Sequence, residues 1–463
     1  AECRFTDEVP DYEGRFVKDC DSDIMRRLKD EGKLVHRSTH QHSYPHCWRC
    51  ESPLIYRAIS TWFVDIEKVK EKMLKANSQI HWVPEHIKGG RFGKWLENAR
   101  DWAISRNRYW GCPLPIWRNE ETGEVICVGS IGELEERTGG TFDDIHKHFM
   151  DPVIIDGETG PLTRVPEVLD CWFESGAMPY AQRHYPFDNK DWLEEHFPAD
   201  FIAEGLDQTR GWFYTLVVLG AALFDRPPFK NVVVNGMILA EDGRKMSKRL
   251  KNYPNPMDVM NQYGADALRL NMLSSPVVRG ENVTFSEKGV QETMRSVILP
   301  LWNSYSFLVT YARLDNWHPD TAEASEQAEH PLDRWIRARL NHLVRDIRNG
   351  LDHCHLQTAA VQFTTFIDDL TNWYIRRSRR RFWKSDNDGD KLSAYATLHH
   401  VLLTLVKALA PFAPFVTETI YLNLRSADMP ESVHLCDYPT VLETDMDETL
   451  ERQMAHTRTA VSL

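Results

Sequence analysis

The sequence lacks the features that mark membrane, secreted and disulfide-rich proteins. The longest apolar stretch, Gly211–Phe224, falls short of the roughly 20 residues that a membrane span needs, which favours a buried helix. The first residues are polar and acidic, without the basic and apolar pattern of a targeting peptide. The 9 cysteines are odd in number and irregularly spaced, which argues for a reducing compartment. We therefore expect a cytoplasmic protein with no membrane partner.

An excess of positive charge is also missing. The chain has 55 lysines and arginines against 68 aspartates and glutamates, a net charge of −13. Its bulk charge neither indicates nor excludes a nucleic-acid partner, so any such contact has to come from local basic patches. The 463 residues suffice for two to four domains, and the hydrophobic content of 42% is typical of a globular protein.

Short apolar segments in the first part of the chain alternate with helical patterns. This alternation is typical of an α/β fold with a parallel sheet, with Gly211–Phe224 as one of the helices. The predicted strands are Val125–Val128, Val153–Ile155, Phe201–Ala203 and Val232–Val234.

The pattern changes to helices after about Pro300. Apolar residues recur at spacings of three and four in 336–351, 363–370 and 398–409, each forming one stripe of an amphipathic helix. Three long amphipathic helices in succession predict an all-α bundle. The acidic, alanine-rich stretch Asp320–His330 is predicted to be a linker between its elements.

The segment 245–249, Lys-Met-Ser-Lys-Arg, carries the sharpest chemical signal. It places Lys245, Ser247 and Lys248 in a short polar loop after a predicted strand, with Gly243 to let the loop turn. Formation of an adenylate needs positive charge on the departing pyrophosphate, and lysine supplies it as a point charge on a flexible stem. The alternative is a solvated basic loop, which is the usual interpretation of an arbitrary lysine pair.

Three blocks around this loop complete a family pattern. Residues 245–249 resemble the KMSKS loop of class I aminoacyl-tRNA synthetases, and 201–213 resemble their adenylate-binding segment. The run Ser-Arg-Asn-Arg-Tyr-Trp-Gly at 105–111 is similar to the isoleucyl-tRNA synthetase branch, and 171–176 extends the likeness. The resemblance implies the second half of a Rossmann-type nucleotide-binding fold, followed by an all-α anticodon-binding bundle. It also implies ATP, Mg²⁺, isoleucine and isoleucine tRNA as ligands, and leaves membership of a multi-synthetase assembly open.

The resemblance assigns roles to named residues. Lys245 and Lys248 are the expected catalytic residues, and Ser247 joins them in binding ATP. The resemblance places four residues in the adenylate site: Glu204, Gly205, Asp207 and Gln208. They are expected to hold the amino group, the carbonyl and the ribose of the aminoacyl-adenylate. Trp172 and Trp212 resemble the two family tryptophans that contact the branched aliphatic side chain of the substrate. Such a side chain can be recognised only by burial and shape, and large rigid apolar rings suit both. For either tryptophan taken singly, a place in the core is an equal alternative.

The chain departs from the family pattern at two motifs. No HIGH-type motif is found, so we expect a carboxyl-terminal portion of a longer protein, inefficient at adenylation alone. Arg249 replaces the usual serine, which is similar to the eukaryotic cytosolic branch.

The expected segments are 1–43, the trailing edge of an editing or connective insertion; 44–245, the half-domain; 246–300, the KMSKS loop and stem-contact region; and 301–463, the bundle. The alternatives are a non-catalytic tRNA-binding or scaffold fragment, or a valyl or leucyl enzyme.

Two further features carry weaker signals. Cys47 and Cys50 form a CxxC pair, but structural zinc needs four ligands, so we favour unmetallated cysteines over a zinc site completed by His46, Cys112 or Cys127.

The run 374–384 is rich in arginine and aromatic residues, which suit phosphate contacts and base stacking. Its alternative is a solvated helix end. The predicted tRNA-binding residues are Arg376, Arg377, Arg379, Arg380 and Arg381.

Overall fold

The computed structural model of the protein describes residues 3–47, 50–56, 58–247, 251–319, 330–384 and 388–462. The chain divides into two compact units, Ala1–Ser60 and Thr61–Leu463. The first unit contains two 3₁₀ turns, Pro10–Tyr12 and Val17–Asp19, followed by helix α1, Asp21–Asp30. All of the remaining helices and every named strand lie in the second unit.

Most strands of the second unit are short. In chain order they are β1 Phe63–Val64, β2 His81–Val83, β3 Trp102–Ala103, β4 Ser105–Arg106, β5 Ile116–Arg118, β6 Val125–Cys127, β7 Ile154–Asp156, β8 Pro161–Arg164, β9 Val168–Leu169, β10 Ala199–Gly205, β11 Phe229–Asn235, β12 Ile238–Leu239 and β13 Val283–Thr284.

The helices become longer toward the end of the chain. After α1 they are α2 Lys70–Gln79, α3 Gly93–Glu97, α4 Ile131–Thr138, α5 Lys147–Met150, α6 Cys171–Ala181, α7 Lys190–His196, α8 Trp212–Phe224, α9 Pro256–Tyr263, α10 Ala265–Leu273, α11 Glu287–Thr293, α12 Leu299–Leu314, α13 Pro331–Asp352, α14 Leu356–Asp368, α15 Arg376–Trp383, α16 Gly389–Leu409, α17 Pro414–Leu424 and α18 Glu448–Ser462.

A parallel sheet of three strands, in the order β10–β11–β2, positions the site. The valines of the central strand β11, 232–234, are fully buried because neighbouring strands flank it and helices cover it. Helix α8 packs on this sheet through Phe213 and Val217, which share a core with Val232 and Val234. The predicted α/β fold and the predicted helix at 211–224 are therefore confirmed.

Two of the four segments predicted for that sheet lie elsewhere. Strands β6 and β7 belong to a separate antiparallel sheet of order β6–β5–β8–β7. The connections 119–124 and 157–160 are too short for the crossover that parallel neighbours need, so these strands pair as hairpins. The apolar pattern predicted the strands correctly, but the pairing inferred from it was wrong.

The predicted helical bundle is confirmed. The three apolar stripes lie on α13, α14 and α16, and their buried residues form one large core with Trp335, Phe363 and Leu402 among its members. A π-helical segment, Asp369–Ile375, joins α14 to α15. Most of the predicted linker, 320–329, lies outside the described residues; His330 accepts a hydrogen bond from the Leu332 amide and so caps α13.

Within the part of the chain that the structure describes, one helix, α16, is long and apolar enough by length and composition to cross a bilayer. Its most apolar window is 61% buried inside the protein. Val401 and Leu405 lie in the bundle core, and Lys391 in the first turn pairs with Asp315 at 2.6 Å. The apolar character of this helix is accounted for by packing within the bundle.

Candidate active site

The predicted amino-acid site begins where strand β10 ends. Glu204 pairs with Val234 and Gly205 with Asn235, the last residues of two parallel strands. The chain then makes a 3₁₀ turn, Leu206–Arg210, and enters α8. Ligands of open α/β sheets bind at the carboxyl ends of strands, which is where this turn lies. The structure thus places Glu204 and Gly205 at such an edge, with Asp207 and Gln208 in the turn that follows.

Close packing of side chains onto backbone shapes this turn. A Cβ atom added to Gly205 would lie 2.8 Å from the Asp207 carboxylate, and one added to Gly211 would lie 2.6 Å from Oε1 of Gln208. Both contacts are with the far ends of flexible side chains, so a larger residue at either position would displace Asp207 or Gln208 from its present place. Gln208 Oε1 also accepts a hydrogen bond from the Trp212 amide at 3.0 Å, which satisfies one free donor at the start of α8.

The two predicted indoles, Trp172 and Trp212, lie in helices α6 and α8, which are joined by a hydrogen bond. The Trp172 ring reaches within 3.2 Å of the position a Cβ atom would take on Gly211. Trp212 donates from Nε1 to the carbonyl of Ser175, one turn beyond Trp172 in α6, at 3.0 Å. Trp172 is 40% exposed, which does not fit a core role, whereas Trp212 is half-buried and packs against the core of the parallel sheet. The structure therefore brings Trp172, Gln208 and Trp212 together.

The lysine loop follows from the carboxyl end of β11. Gly236 has no room for a side chain, because a Cβ atom there would lie 1.9 Å from the Glu281 carbonyl oxygen. After β12, a turn closes with the Gly243 amide donating to Ala240 at 2.8 Å, and Gly243 takes a φ of +77° that favours glycine. Leu239 then pairs with Lys245 across the turn.

Asn252 bridges two points of this loop. Its Oδ1 accepts a hydrogen bond from the Ser247 amide at 2.9 Å, and its Nδ2 donates to the Lys245 carbonyl at 3.3 Å. The role of Asn252 as a brace of the loop depends on folding. The loop borders a cavity of about 470 Å³ lined partly by Met246 and Lys251. Lys248 lies outside the described residues.

Arg244 of the loop has a carboxylate partner, whereas Lys245 has none among the described residues. Arg244 pairs with Asp242 at 2.6 Å, and this hydrogen-bonded pair holds the pKa of the aspartate below its ordinary value. Among the residues that the structure describes, no carboxylate forms an ion pair with Lys245. Its ammonium group is therefore available to bind an anionic ligand.

Backbone hydrogen bonds link described residues on either side of the cysteine pair in the first unit. The Glu51 amide donates to the Cys47 carbonyl at 2.8 Å, and a hydrogen bond with the Ser52 hydroxyl lowers the pKa of the Cys50 thiol. In the described ranges, no group of three or more His, Cys, Asp or Glu side chains is placed to hold a metal ion. The unmetallated state of Cys47 and Cys50 stays a prediction.

The basic run lies on α15, and one of its five arginines differs from the others. Arg381 is 7% exposed and forms two hydrogen bonds of 2.7 Å with the buried carboxylate of Asp333 and another with Asp390. The prediction that Arg381 contacts tRNA does not fit this position, because its guanidinium is bonded to carboxylates inside the bundle. The exposed arginines of this helix are Arg376, Arg377, Arg379 and Arg380.

Comparison with known proteins defines the class. Residues 7–284 match the family described as tRNA synthetases class I (I, L, M and V), and residues 333–463 match the anticodon-binding domain of tRNA ligase. The chain belongs to the class I tRNA synthetases, which confirms the resemblance found in the sequence. It is 56% identical over 460 residues to an isoleucine–tRNA ligase of Protochlamydia amoebophila and 54% identical over 476 residues to one of Treponema denticola. These alignments cover 99% and 100% of the chain, which spans 44% and 43% of the two relatives.

Two solved structures share the fold. A ternary complex of the Agrobacterium radiobacter K84 agnB2 LeuRS with tRNA and LeuAMS matches with a TM-score of 0.57 at 21% identity, over 75% of this chain and 43% of that one. The Mycobacterium tuberculosis methionyl-tRNA synthetase bound to methionyl-adenylate matches with a TM-score of 0.56 at 16% identity, over 81% and 65% of the two chains.

Proposed function

We propose that this chain is part of an isoleucine–tRNA ligase. The reaction joins isoleucine to the α-phosphate of ATP with release of pyrophosphate, and then transfers the isoleucyl group to the terminal ribose of isoleucine tRNA. Identity of 53–56% to isoleucine–tRNA ligases over nearly the whole chain supports this substrate choice. The observation that carries the proposal is the cluster of Trp172, Gln208 and Trp212 beside the end of β10.

The amino-acid side of the site fits an aminoacyl-adenylate. Glu204 and Asp207 are exposed carboxylates at the end of the strand and in its turn, where they accept hydrogen bonds from an ammonium group or ribose hydroxyls. Gln208 has its carbonyl oxygen occupied by the Trp212 amide, so its NH₂ group is left to donate. The indoles of Trp172 and Trp212 offer large rigid apolar faces for a branched aliphatic side chain.

The phosphate side of the site is the lysine loop. Lys245 and Lys248 neutralise charge that develops on the pyrophosphate as it leaves, and Ser247 adds a hydroxyl donor. Mg²⁺ is usually held through substrate phosphates and retained waters, so its binding here would come mainly from ATP itself. Positioning and charge neutralisation then do most of the catalytic work, with no general base required.

Amino-acid-dependent exchange of pyrophosphate into ATP tests this function. The assay uses the protein as its gene encodes it, with any flanking residues retained. We expect exchange with isoleucine at least 100-fold more efficient than with leucine, because leucine branches one carbon further along and does not fit the same apolar pocket. Exchange that prefers valine or leucine would assign the chain to a sibling enzyme. No exchange with any amino acid, together with retained tRNA binding, would favour the scaffold alternative.

The tRNA-contacting surface is proposed to include the exposed side of α15. Arg376, Arg379 and Arg380 recur at helical spacing on one side, and among the described residues none of the three has a carboxylate partner. Arg377 lies over the Trp373 ring at 4.7 Å, which holds its guanidinium by a cation–π contact. Unpaired guanidinium groups in a row suit a phosphate backbone.

Replacing Arg379 and Arg380 together by alanine is expected to weaken tRNA binding and leave isoleucine-dependent pyrophosphate exchange unchanged. Each lost phosphate contact should also reduce the slope of log Kd against log salt by about 1. The measurement is a tRNA binding isotherm at several salt concentrations. Arg345→Ala is the matched control, since this bundle arginine is exposed but already paired with Asp346 at 3.2 Å. An unchanged Kd and slope would leave only a solvated helix surface.

The segment boundaries at 43, 245 and 300 and a cytoplasmic location stay predictions. The same holds for the unmetallated state of Cys47 and Cys50 and for the likeness to the eukaryotic cytosolic branch. Membership of a multi-synthetase assembly was left open by the sequence and is not proposed.

A further inference from the structure

Thr209 is fully buried within the 3₁₀ turn that follows β10. Its hydroxyl donates a hydrogen bond to the Leu206 carbonyl at 2.8 Å and accepts one from Nε of Arg91 at 3.0 Å. The first bond closes the chain around Asp207 and Gln208, because both residues lie between its two ends. The second bond ties this closed turn to a residue that is distant in the sequence.

The Arg91 side chain extends from a rigid support. It belongs to a π-helical segment, Lys88–Phe92, directly before α3. Phe92 is fully buried and packs on Trp82 of β2 with 4.7 Å between ring centroids. Gly93 leaves no room for a side chain, since a Cβ atom there would lie 2.6 Å from a backbone carbonyl oxygen of that segment. The base of the Arg91 side chain is therefore fixed relative to the parallel sheet.

The next residue of the turn is held by the same part of the chain. The Arg210 guanidinium lies over the Trp95 ring of α3, 4.9 Å from its centroid, which is a cation–π contact. Trp95 meets Tyr214 of α8 edge-on, with 5.9 Å between ring centroids. Two consecutive residues of the turn are thus bound to the region around α3. We call the four residues of these two contacts the turn clamp: Arg91, Trp95, Thr209 and Arg210.

The contacts of the turn clamp favour positioning over charge pairing. Among the residues that the structure describes, no carboxylate forms an ion pair with Arg91 or Arg210; their partners are a neutral hydroxyl and an indole. Ordering the long Arg91 side chain costs conformational entropy, which offsets much of what one hydrogen bond contributes to stability. The remaining effect of the bond is to define where the turn lies. π-helical turns such as the one that carries Arg91 occur frequently at functional sites.

We propose that Arg91 is a positioning residue for amino-acid activation. Through the buried hydroxyl of Thr209 it holds Asp207 and Gln208 where the aminoacyl part of the adenylate binds. The inference rests on the proposed function, which assigns Asp207 and Gln208 to that ligand. Reaction rates depend steeply on placement, and a displacement of about 1 Å costs on the order of 10²-fold. Loss of the bond between Arg91 and Thr209 therefore slows activation without removing a group that contacts the substrate.

Steady-state pyrophosphate exchange tests this role in variants of the protein as its gene encodes it. Arg91→Ala should lower kcat/KM for isoleucine by about 10–100-fold, because the turn is no longer fixed. KM for ATP should change by less than about 2-fold, since the ATP phosphates bind at the lysine loop, which the turn clamp does not contact. Arg91→Gln should restore most of the activity. The glutamine amide nitrogen is separated from Cα by the same number of bonds as the arginine Nε, so it donates to Thr209 without the charge.

A double-mutant cycle identifies the bond itself. Thr209→Val removes the hydroxyl at nearly constant volume, whereas Thr209→Ser keeps it and should stay close to the unmodified protein. Arg91→Ala combined with Thr209→Val should lose no more activity than the larger of the two single losses. The matched control is Arg100→Ala, because Arg100 is exposed, follows α3 closely and has no carboxylate partner in the described ranges. Its exchange kinetics should be unchanged.

Amide hydrogen exchange gives a readout that does not depend on activity. The Gly211 amide, bonded to the Gln208 carbonyl at 3.1 Å, should exchange faster in Arg91→Ala and regain its protection in Arg91→Gln. The proposal is overturned if Arg91→Ala leaves kinetics and protection unchanged, if Arg91→Gln restores neither, or if the two single losses multiply in the double variant. No exchange of pyrophosphate with isoleucine by the unmodified protein, together with the expected change in amide protection, would count against the proposed function and support the turn clamp.

Discussion

Replacing Lys245 with alanine is expected to slow isoleucyl-adenylate formation by about 10²–10³-fold, the usual loss when one preorganised charge-stabilising donor is removed. No described carboxylate pairs with Lys245, so its charge is available to the pyrophosphate. The isoleucine dissociation constant should change little, because the lysine acts on charge that develops during the reaction and not on the bound amino acid. Single-turnover adenylate formation and equilibrium isoleucine binding measure the two effects separately. We expect Lys248→Ala to behave in the same way.

The control is Lys230→Ala. Lys230 is an exposed lysine on β11 that pairs with Asp200 at 2.6 Å, so its replacement removes a charge on the same strand-and-loop segment without touching the proposed site. Its adenylation rate should match that of the unmodified protein. Equal losses of rate and isoleucine affinity in Lys245→Ala would contradict a role confined to the transition state.

Replacing Asp333 with alanine is expected to lower the free energy of unfolding of the bundle by about 3 kcal/mol, the low end of the cost of breaking a buried ion pair, because Arg381 keeps its bond to Asp390. Asp333 is fully buried and accepts both 2.7 Å hydrogen bonds from Arg381 and one of 2.8 Å from the Tyr374 hydroxyl. Burial raises the pKa of Tyr374, which keeps this hydroxyl a neutral donor. Thermal unfolding followed by circular dichroism measures the loss.

A double replacement separates the two parts of this cost. Asp333→Leu combined with Arg381→Met removes both charges and keeps an apolar volume, so it should be clearly less destabilising than Asp333→Ala alone. Arg380→Ala, the neighbouring exposed arginine, should change stability by less than about 0.5 kcal/mol. A loss below 1 kcal/mol in Asp333→Ala would mean that the Arg381 charge finds water or another partner.

Local sequence was enough to predict the elements that depend on local chemistry. The turn after β10 was expected because an apolar strand is followed by polar residues and then a long apolar helix. The bundle helices were expected because their apolar residues repeat at helical spacing. The positive φ of Gly243 likewise fits a residue chosen for a tight turn. In each case the determining contacts lie within a few residues along the chain.

Arg381 and Arg380 are neighbours in the same basic run, yet only the structure separates their roles. Arg381 faces inward because the helix turns each residue by about 100°, and Asp333, distant in sequence, supplies its partner. The pairing of β6 and β7 was misassigned for a similar reason, since an apolar segment does not specify its neighbour. Asn252 was missed because its role depends on what it contacts.

The sequence by itself determined the family, the order of the α/β part and the bundle, and the residues that match the adenylate-binding motifs, because these are carried by residue types at fixed spacing. The tertiary structure decided which arginines remain exposed, which strands pair and how Trp172 meets Gly211. These depend on contacts between segments far apart in the chain, and such contacts form only when buried surfaces select one packing arrangement.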